Sequence, residues 1–319
     1  MGVAREDLGR SLTRSGGYAE ADTLLKASLA GRRAALGDSN PAVASSLTDL
    51  GLLSEAQGKW AEAEQYYRQA LPLWRVAKDE FYELYAMAQI GWDLGRMNQY
   101  AASDSVLTLV LERQQVLFGP QHSRTGDTYE KLSSNAIFTD RLARGDSLAT
   151  LALAIRKATW GPKSQQVADQ LQNIAFVRER RNDTTGAVPV LREALEIFQS
   201  VRPPTDPTVL LTQQWLAADL CTVGPVAEGD SLARVALTAA PLDSARGLTW
   251  RVRGAMGFCL TRQKKYAEAE PLLLQAESML RTIPNTNPLH IKREVARLAE
   301  LYQGWGKQEL AVEWKAKLK

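Results

Sequence analysis

The chain of 319 residues is poor in the residues from which most reactive centres are built. It has two cysteines, Cys221 and Cys259, too few for a disulfide framework or a four-ligand zinc site. Its two histidines, His122 and His290, leave little for an imidazole-based metal site. No apolar run approaches the ~20 residues that a membrane-spanning helix needs. Neither sign of charge dominates: 39 Lys and Arg against 36 Asp and Glu leave +3, which is mild for a nucleic-acid partner. The glycine-rich phosphate loop and the GxSxG, HExxH and CxxC motifs are missing. These absences point away from an enzyme, and away from any cofactor, metal or small-molecule substrate. Hydrophobic residues at 45% and charged residues at 24% exclude disorder. The N-terminus, Met1 to Asp7, is too charged for a signal peptide, so the expectation is a cytoplasmic chain without a membrane partner.

What the chain does have is a repeat. Tyr18-Ala19-Glu20-Ala21-Asp22, Trp60-Ala61-Glu62-Ala63-Glu64 and Tyr266-Ala267-Glu268-Ala269-Glu270 announce it. Steps of 42 or 40 residues place a small residue at Ala21, Ala63, Ser103, Gly145, Ala187, Gly229, Ala269 and Ala311. Twelve residues before each stands another, at Gly9, Gly51, Gly91, Ser133, Ala175, Ala217, Gly257 and Ala299. Each of these follows a large apolar residue, from Leu8 and Leu50 to Leu298. Such columns predict antiparallel helix pairs whose backbones approach closely where the small residues cross. A further apolar column, Leu24, Tyr66, Val106, Leu148, Val190, Leu232, Leu272 and Trp314, is expected to line the second helix of each pair. A hairpin of this kind buries its apolar face only against its neighbours, so the pairs stack.

Leu50-Gly51 followed by Ala63 and Tyr67, and Leu8-Gly9 followed by Ala21 and Leu25, resemble the tetratricopeptide repeat. The longer period, with loops such as Leu36-Gly37-Asp38-Ser39-Asn40-Pro41 and Phe118-Gly119-Pro120-Gln121-His122, resembles the kinesin-light-chain-like subgroup, common in bacterial signalling proteins. The resemblance implies an all-α fold, a right-handed α-solenoid of about eight hairpins forming one domain over residues 1–319. The expected repeats run 1–36, 37–78, 79–118, 119–160, 161–202, 203–243, 244–284 and 285–319. The two shortened spacings coincide with Pro72 and Pro241, which are expected to shorten their second helices.

The resemblance also implies a groove lined by the first helix of each pair. The column two residues before the first small position reads Asp7, Asp49, Gln89, Lys131, Asn173, Trp215, Ala255 and Arg297. Five residues after that position lie Arg14, Arg96, Arg180 and Arg262 in alternate repeats, and Trp92, Phe176 and Phe258 follow it directly. Arginines among aromatics suit a grip on carboxylates with apolar contact beside it. Arg96, Asn173, Arg180, Trp215, Arg251, Arg262 and Arg297 are therefore the candidate groove residues of a non-catalytic scaffold binding a protein segment, acidic at its basic C-terminal half. The alternative is a structural or sensory region of a larger bacterial signalling protein such as a Ser/Thr kinase. Cys221 and Cys259 are expected to be a buried pair of free thiols, with a redox-sensitive pair as the alternative. The Gly-Asp-Ser-Leu segments at Gly145 and Gly229 are expected in first turns of helices rather than in a hydrolase site.

Overall fold

The computed structural model describes residues 2–240, 247–284 and 286–318. Among the described residues every regular element is an α-helix, and the chain divides into two compact units, residues 1–155 and 156–319. The first unit holds α1 (Gly2–Ser15), α2 (Tyr18–Leu36), α3 (Pro41–Ala56), α4 (Trp60–Val76), α5 (Glu80–Arg96), α6 (Tyr100–Leu117), α7 (Ser123–Phe138) and most of α8 (Leu142–Trp160). The second holds the end of α8 and then α9 (Gln165–Arg180), α10 (Thr184–Val201), α11 (Pro207–Val223), α12 (Val226–Ala239), α13 (Leu248–Arg262), α14 (Tyr266–Thr282), α15 (Pro288–Gly304) and α16 (Gln308–Ala316). Odd and even helices alternate as the two arms of hairpins, which is the all-α repeat fold that the columns imply.

The helix starts are written locally. Asn40, Asp206 and Asn287 each cap a first helix, and the proline that follows occupies a position where no amide donor is needed. His122 does the same for α7: its Nδ1 accepts from the Arg124 amide at 3.3 Å. Each hairpin turn passes through one residue of positive φ, at Gly16, Gly58, Asn98, Asp140, Asn182, Gly224, Lys264 and Gly306. Six of these are glycine or asparagine, the residues that tolerate a left-handed backbone best.

The small columns act as expected. A Cβ on Gly51 would lie 2.7 Å from the Tyr67 ring, and one on Gly229 would lie 2.7 Å from the Ala217 carbonyl. Where serine replaces glycine or alanine its hydroxyl crosses the hairpin instead. Ser103 donates to the Gly91 carbonyl at 2.5 Å and Ser133 to the Gly145 carbonyl at 2.7 Å.

Two sequence expectations are refined. The fully buried column of the second helices is one residue further along than the one read from sequence: Leu25, Tyr67, Leu107, Ala149, Leu191, Ala233 and Leu273 are at most 1% exposed. Residues four apart share a helix face, so this column lies with the small residue against the first helix. Leu24, Tyr66 and Val106 flank it half-buried, and in the last hairpin Trp314 is itself buried. Pro72 sits inside α4, four residues before its last, and α4 at 17 residues and α12 at 14 are shorter than the 18 or 19 of α2, α6, α8 and α10. Pro241 lies outside the described residues.

Candidate functional site

On the first unit, the face carried by α1, α3, α5 and α7 is rich in ion pairs. Glu6, 2% exposed, is gripped by both terminal nitrogens of Arg32, which also donates to the Ala42 carbonyl and to Ser46. Arg10 Nε reaches both oxygens of Asp49 at 2.9 Å. Burial nevertheless pushes the Asp49 carboxyl up to about 7, against the pull of Arg10. Further along, Gln89 donates to Glu55 at 2.8 Å, and Asp93 is fully buried with no hydrogen-bond partner for either oxygen. Burial, helped by Glu55 and opposed by Lys131, lifts Asp93 to about 8. A cavity of about 230 Å³ beside them is lined by Tyr85, Gln89, Trp92, Arg124, Asp127 and Lys131 among others. Its aromatic faces are already taken: Lys131 lies 4.9 Å over Trp92, and Arg124 lies 5.1 Å over Tyr85. Arg96 is in this unit, exposed at the end of α5, with its guanidinium 4.8 Å over Trp60 and 5.7 Å over Trp92.

The second unit carries a different site. A cleft of about 260 Å³ crosses the first helices: α9 supplies Glu179, α11 supplies Trp215 and Asp219, α13 supplies Phe258, and α15 supplies Arg293 and Arg297. Arg293 reaches across it to Glu179, 114 residues away in sequence, at 3.3 Å. One arm of the cleft is thus a guanidinium 40% exposed and the other a carboxylate 14% exposed. Arg297 is buried, paired with Glu294 at 2.7 Å, and stacked 5.1 Å over Phe258. A Cβ on Gly254 would lie 2.3 Å from a Glu294 oxygen, so the absence of a side chain there makes room for the buried pair.

The cationic groups crowd one another. Burial, with Arg293 and Arg297 close by, lowers the Arg251 guanidinium to about 10. Burial and the fields of Arg251 and Arg293 hold His290 down to about 4. Acidic groups respond in the opposite sense: burial lifts Asp219 to about 8, Glu179 adding to the effect and the arginines opposing it. Glu179 is also raised by burial, with Arg293 pulling it back.

The cleft therefore brings together Trp215 and Arg297 of the residues predicted from sequence. Arg251 lies close enough to share their field and donates to Gln214 at 3.2 Å. Arg262 is exposed on the rim, its Nε donating to the Cys221 carbonyl at 3.1 Å and its Nη1 facing Glu300 at 3.3 Å. Asn173 and Arg180 are exposed on α9 and do not line the cleft. Reading by register missed Glu179, Asp219 and Glu294. The signal was present: glutamate stands four residues after the small position only at Glu55 and Glu179, and aspartate two after it only at Asp93 and Asp219.

Cys221 and Cys259 are not free thiols. They are joined in a disulfide between α11 and α13, the two helices that contribute Trp215 and Phe258. The Gly-Asp-Ser-Leu segments lie near the starts of α8 and α12, Ser147 donating to the Ala143 carbonyl within its own helix. Among the described residues no three His, Cys, Asp or Glu side chains are grouped to hold a metal ion, and no helix is long and apolar enough to cross a membrane.

Residues 1–76 match the family model described as tetratricopeptide repeat. No curated protein matches the chain. Among solved structures it is similar to the apo form of RapI, with 15% identity over 86% of this chain and 96% of that one and a TM-score of 0.68. The apo form of the quorum sensor NprR from B. thuringiensis is 13% identical over 99% of this chain and 86% of its own, with a TM-score of 0.64. The nearly identical TPR-like repeats of a P. anserina kinesin light chain are 16% identical over 63% of this chain and 96% of theirs, with a TM-score of 0.54. At these identities the likeness is one of fold.

Proposed function

From a tetratricopeptide-repeat protein with such a cleft, we infer an interaction scaffold that holds an acidic protein segment against the inner face of its second unit. The observation that carries this is the convergence of Arg293 and Arg297 with Trp215 and Phe258 on one cleft. A guanidinium recognises a carboxylate through a charge-assisted hydrogen bond, and aromatic walls give the neighbouring side chain an apolar seat. At about 260 Å³ the cleft admits about one side chain at a time, so a longer segment would anchor there and run on along the helices. Of the two arginines lining the cleft, Arg297 orients the site from within and Arg293 is the one a partner can reach.

The test is a titration of the full chain with a fluorescent, N-acetylated octaglutamate peptide, with octaglutamine as the neutral control. Arg293→Glu should weaken octaglutamate binding by about tenfold or more, since a charge-assisted bond contributes about 1.5–3 kcal/mol. Equal affinity of the variant and the parent would remove the cleft from the binding site. Arg297 is unsuitable for this experiment, because reversing it would strand Glu294 in the interior.

A sensory role within a signalling protein is the second reading, favoured by the whole-chain likeness to a quorum sensor. It differs in expecting a change of the unit on binding, which hydrogen exchange with and without peptide would register. The disulfide favours an oxidising compartment over the cytoplasm.

A further inference from the structure

The cleft on the second unit already contains a carboxylate. Glu179 extends from α9 to Arg293 on α15, although α11 and α13 come between them in the chain. Both residues line the same cleft, so the pair occupies the place where an acidic ligand would meet its most accessible cation. Glu179 faces Arg293 and Arg297 from α15, Arg251 from α13 and Asp219 from α11; Glu300 of α15 closes the wall.

We propose that Glu179 is a resident substitute for the ligand: a carboxylate arriving on an acidic segment replaces it on Arg293, and the displaced Glu179 takes up one proton from solvent. This rests on the reading of the cleft as an acidic-segment site. The exchange keeps Arg293 paired with a carboxylate before and after binding, so the ligand gains only what it can offer beyond Glu179. A neutral side chain cannot displace it, which makes Glu179 a specificity-determining residue. Its own fate after displacement follows from its surroundings. A carboxylate 14% exposed that has lost Arg293, its nearest guanidinium, keeps only the more distant fields of Arg297 and Arg251, so burial weighs more and shifts it towards the neutral acid. Burial already raises Glu179 while Arg293 is beside it, so removing that cation moves it further in the same direction. Binding is then linked to proton uptake, and affinity rises as pH falls.

Asp219 and His290 lie outside the window from pH 5.5 to 7.5, and Glu294, also raised by burial, is common to the parent and to Glu179→Gln, so the comparison of the two cancels it. Asp219, at about 8, is already largely protonated across that window, and His290, at about 4, stays neutral. The arginines remain charged throughout.

The experiment titrates octaglutamate into the full chain and into Glu179→Gln by calorimetry at pH 5.5 and 7.5, in buffers of differing ionisation enthalpy. The parent should bind about threefold or more tighter at pH 5.5 and take up protons on binding. Glu179→Gln, isosteric and unable to pair as strongly, should bind at pH 7.5 about as tightly as the parent does at pH 5.5, with no proton uptake. Parent binding without proton uptake, and no gain in the variant, overturns the exchange while leaving the cleft as a binding site. Proton uptake that persists in Glu179→Gln overturns it too, because another group is then the acceptor. If neither protein binds octaglutamate at pH 5.5 or at pH 7.5, the acidic-segment reading is overturned and the exchange with it.

Discussion

Reducing the Cys221–Cys259 bond should loosen the second unit by an amount that the chain topology sets. The two cysteines are 38 residues apart, and both are fully buried. Tying a loop of that length removes about 13 cal/mol/K of entropy from the unfolded chain, which is about 4 kcal/mol at 25 °C. The native state loses little in compensation, since a reduced cysteine behaves as a small apolar side chain and leaves no hole. For a unit of this size about 4 kcal/mol corresponds to a drop in Tm of about 8–15 °C. The measurement is hydrogen exchange across a urea series, read at peptides from α11 and α13, before and after unfolding and refolding in reductant. Peptides from α3 to α6 serve as the internal control, and thiol titration confirms that both sulfurs are reduced. If both titrate as thiols and the α11 and α13 midpoints do not move, the cross-link contributes nothing and the entropy argument fails. Two titratable thiols in the unreduced, denatured chain would refute the disulfide itself.

Further perturbations separate the forces in the two units. Removing one partner of the buried Glu6–Arg32 pair, as in Arg32→Ala, should cost about 1–3 kcal/mol of first-unit stability, because Glu6 loses its two short bonds and keeps only Ser46 and the longer contact to Arg10; a urea midpoint unchanged by the substitution would contradict this. Gly229→Ala places a methyl 2.7 Å from the Ala217 carbonyl and 2.5 Å from the Cys221 sulfur, so it should destabilise the second unit by about 1–3 kcal/mol in the same assay. Lys264 holds a φ of 63° where most hairpins place glycine or asparagine, so Lys264→Gly should raise stability by up to about 1 kcal/mol, and a loss of stability would show the turn is not strained. Asp93 and Asp219 sit at about 8 when folded, so the native state holds protons that the unfolded chain has released. Stability is therefore full below about pH 4 for these groups and falls as pH rises to about 8, on the order of a few kcal/mol. Asp93→Asn should flatten that slope in the first unit, and a slope that persists unchanged would reassign it.

Much of the architecture was legible because close backbone approach admits few residue types. Gly51, Gly91, Ala175 and Ala217 declare the helix crossings without any structure, and Asn40-Pro41 declares a helix start. Which of two adjacent apolar residues is fully buried, Leu24 or Leu25, Tyr66 or Tyr67, is less legible, because they are similar in character and only the helix rotation distinguishes them. The site was less legible for a different reason. Register assigns a residue to a face but does not say how far α9 and α15 are brought together, and the Arg293–Glu179 contact depends on that distance. Arg297 illustrates the same gap: it occupies a groove position, yet Glu294 draws it inward. The disulfide was missed because Cys221 and Cys259 fall at different positions of consecutive repeats, and a count of two cysteines made separate thiols the simpler expectation.

The Arg293–Glu179 contact also has a mechanical meaning. A stack of hairpins is a spring, and its curvature is ordinarily set by small angles summed between neighbours. Here a pair of side chains also ties one first helix to another three hairpins on, a contact that skips the helices between them. A ligand that opens this contact changes more than the occupancy of a cleft. On the exchange proposed above, the second unit loses one tie between α9 and its last hairpin each time a ligand is seated.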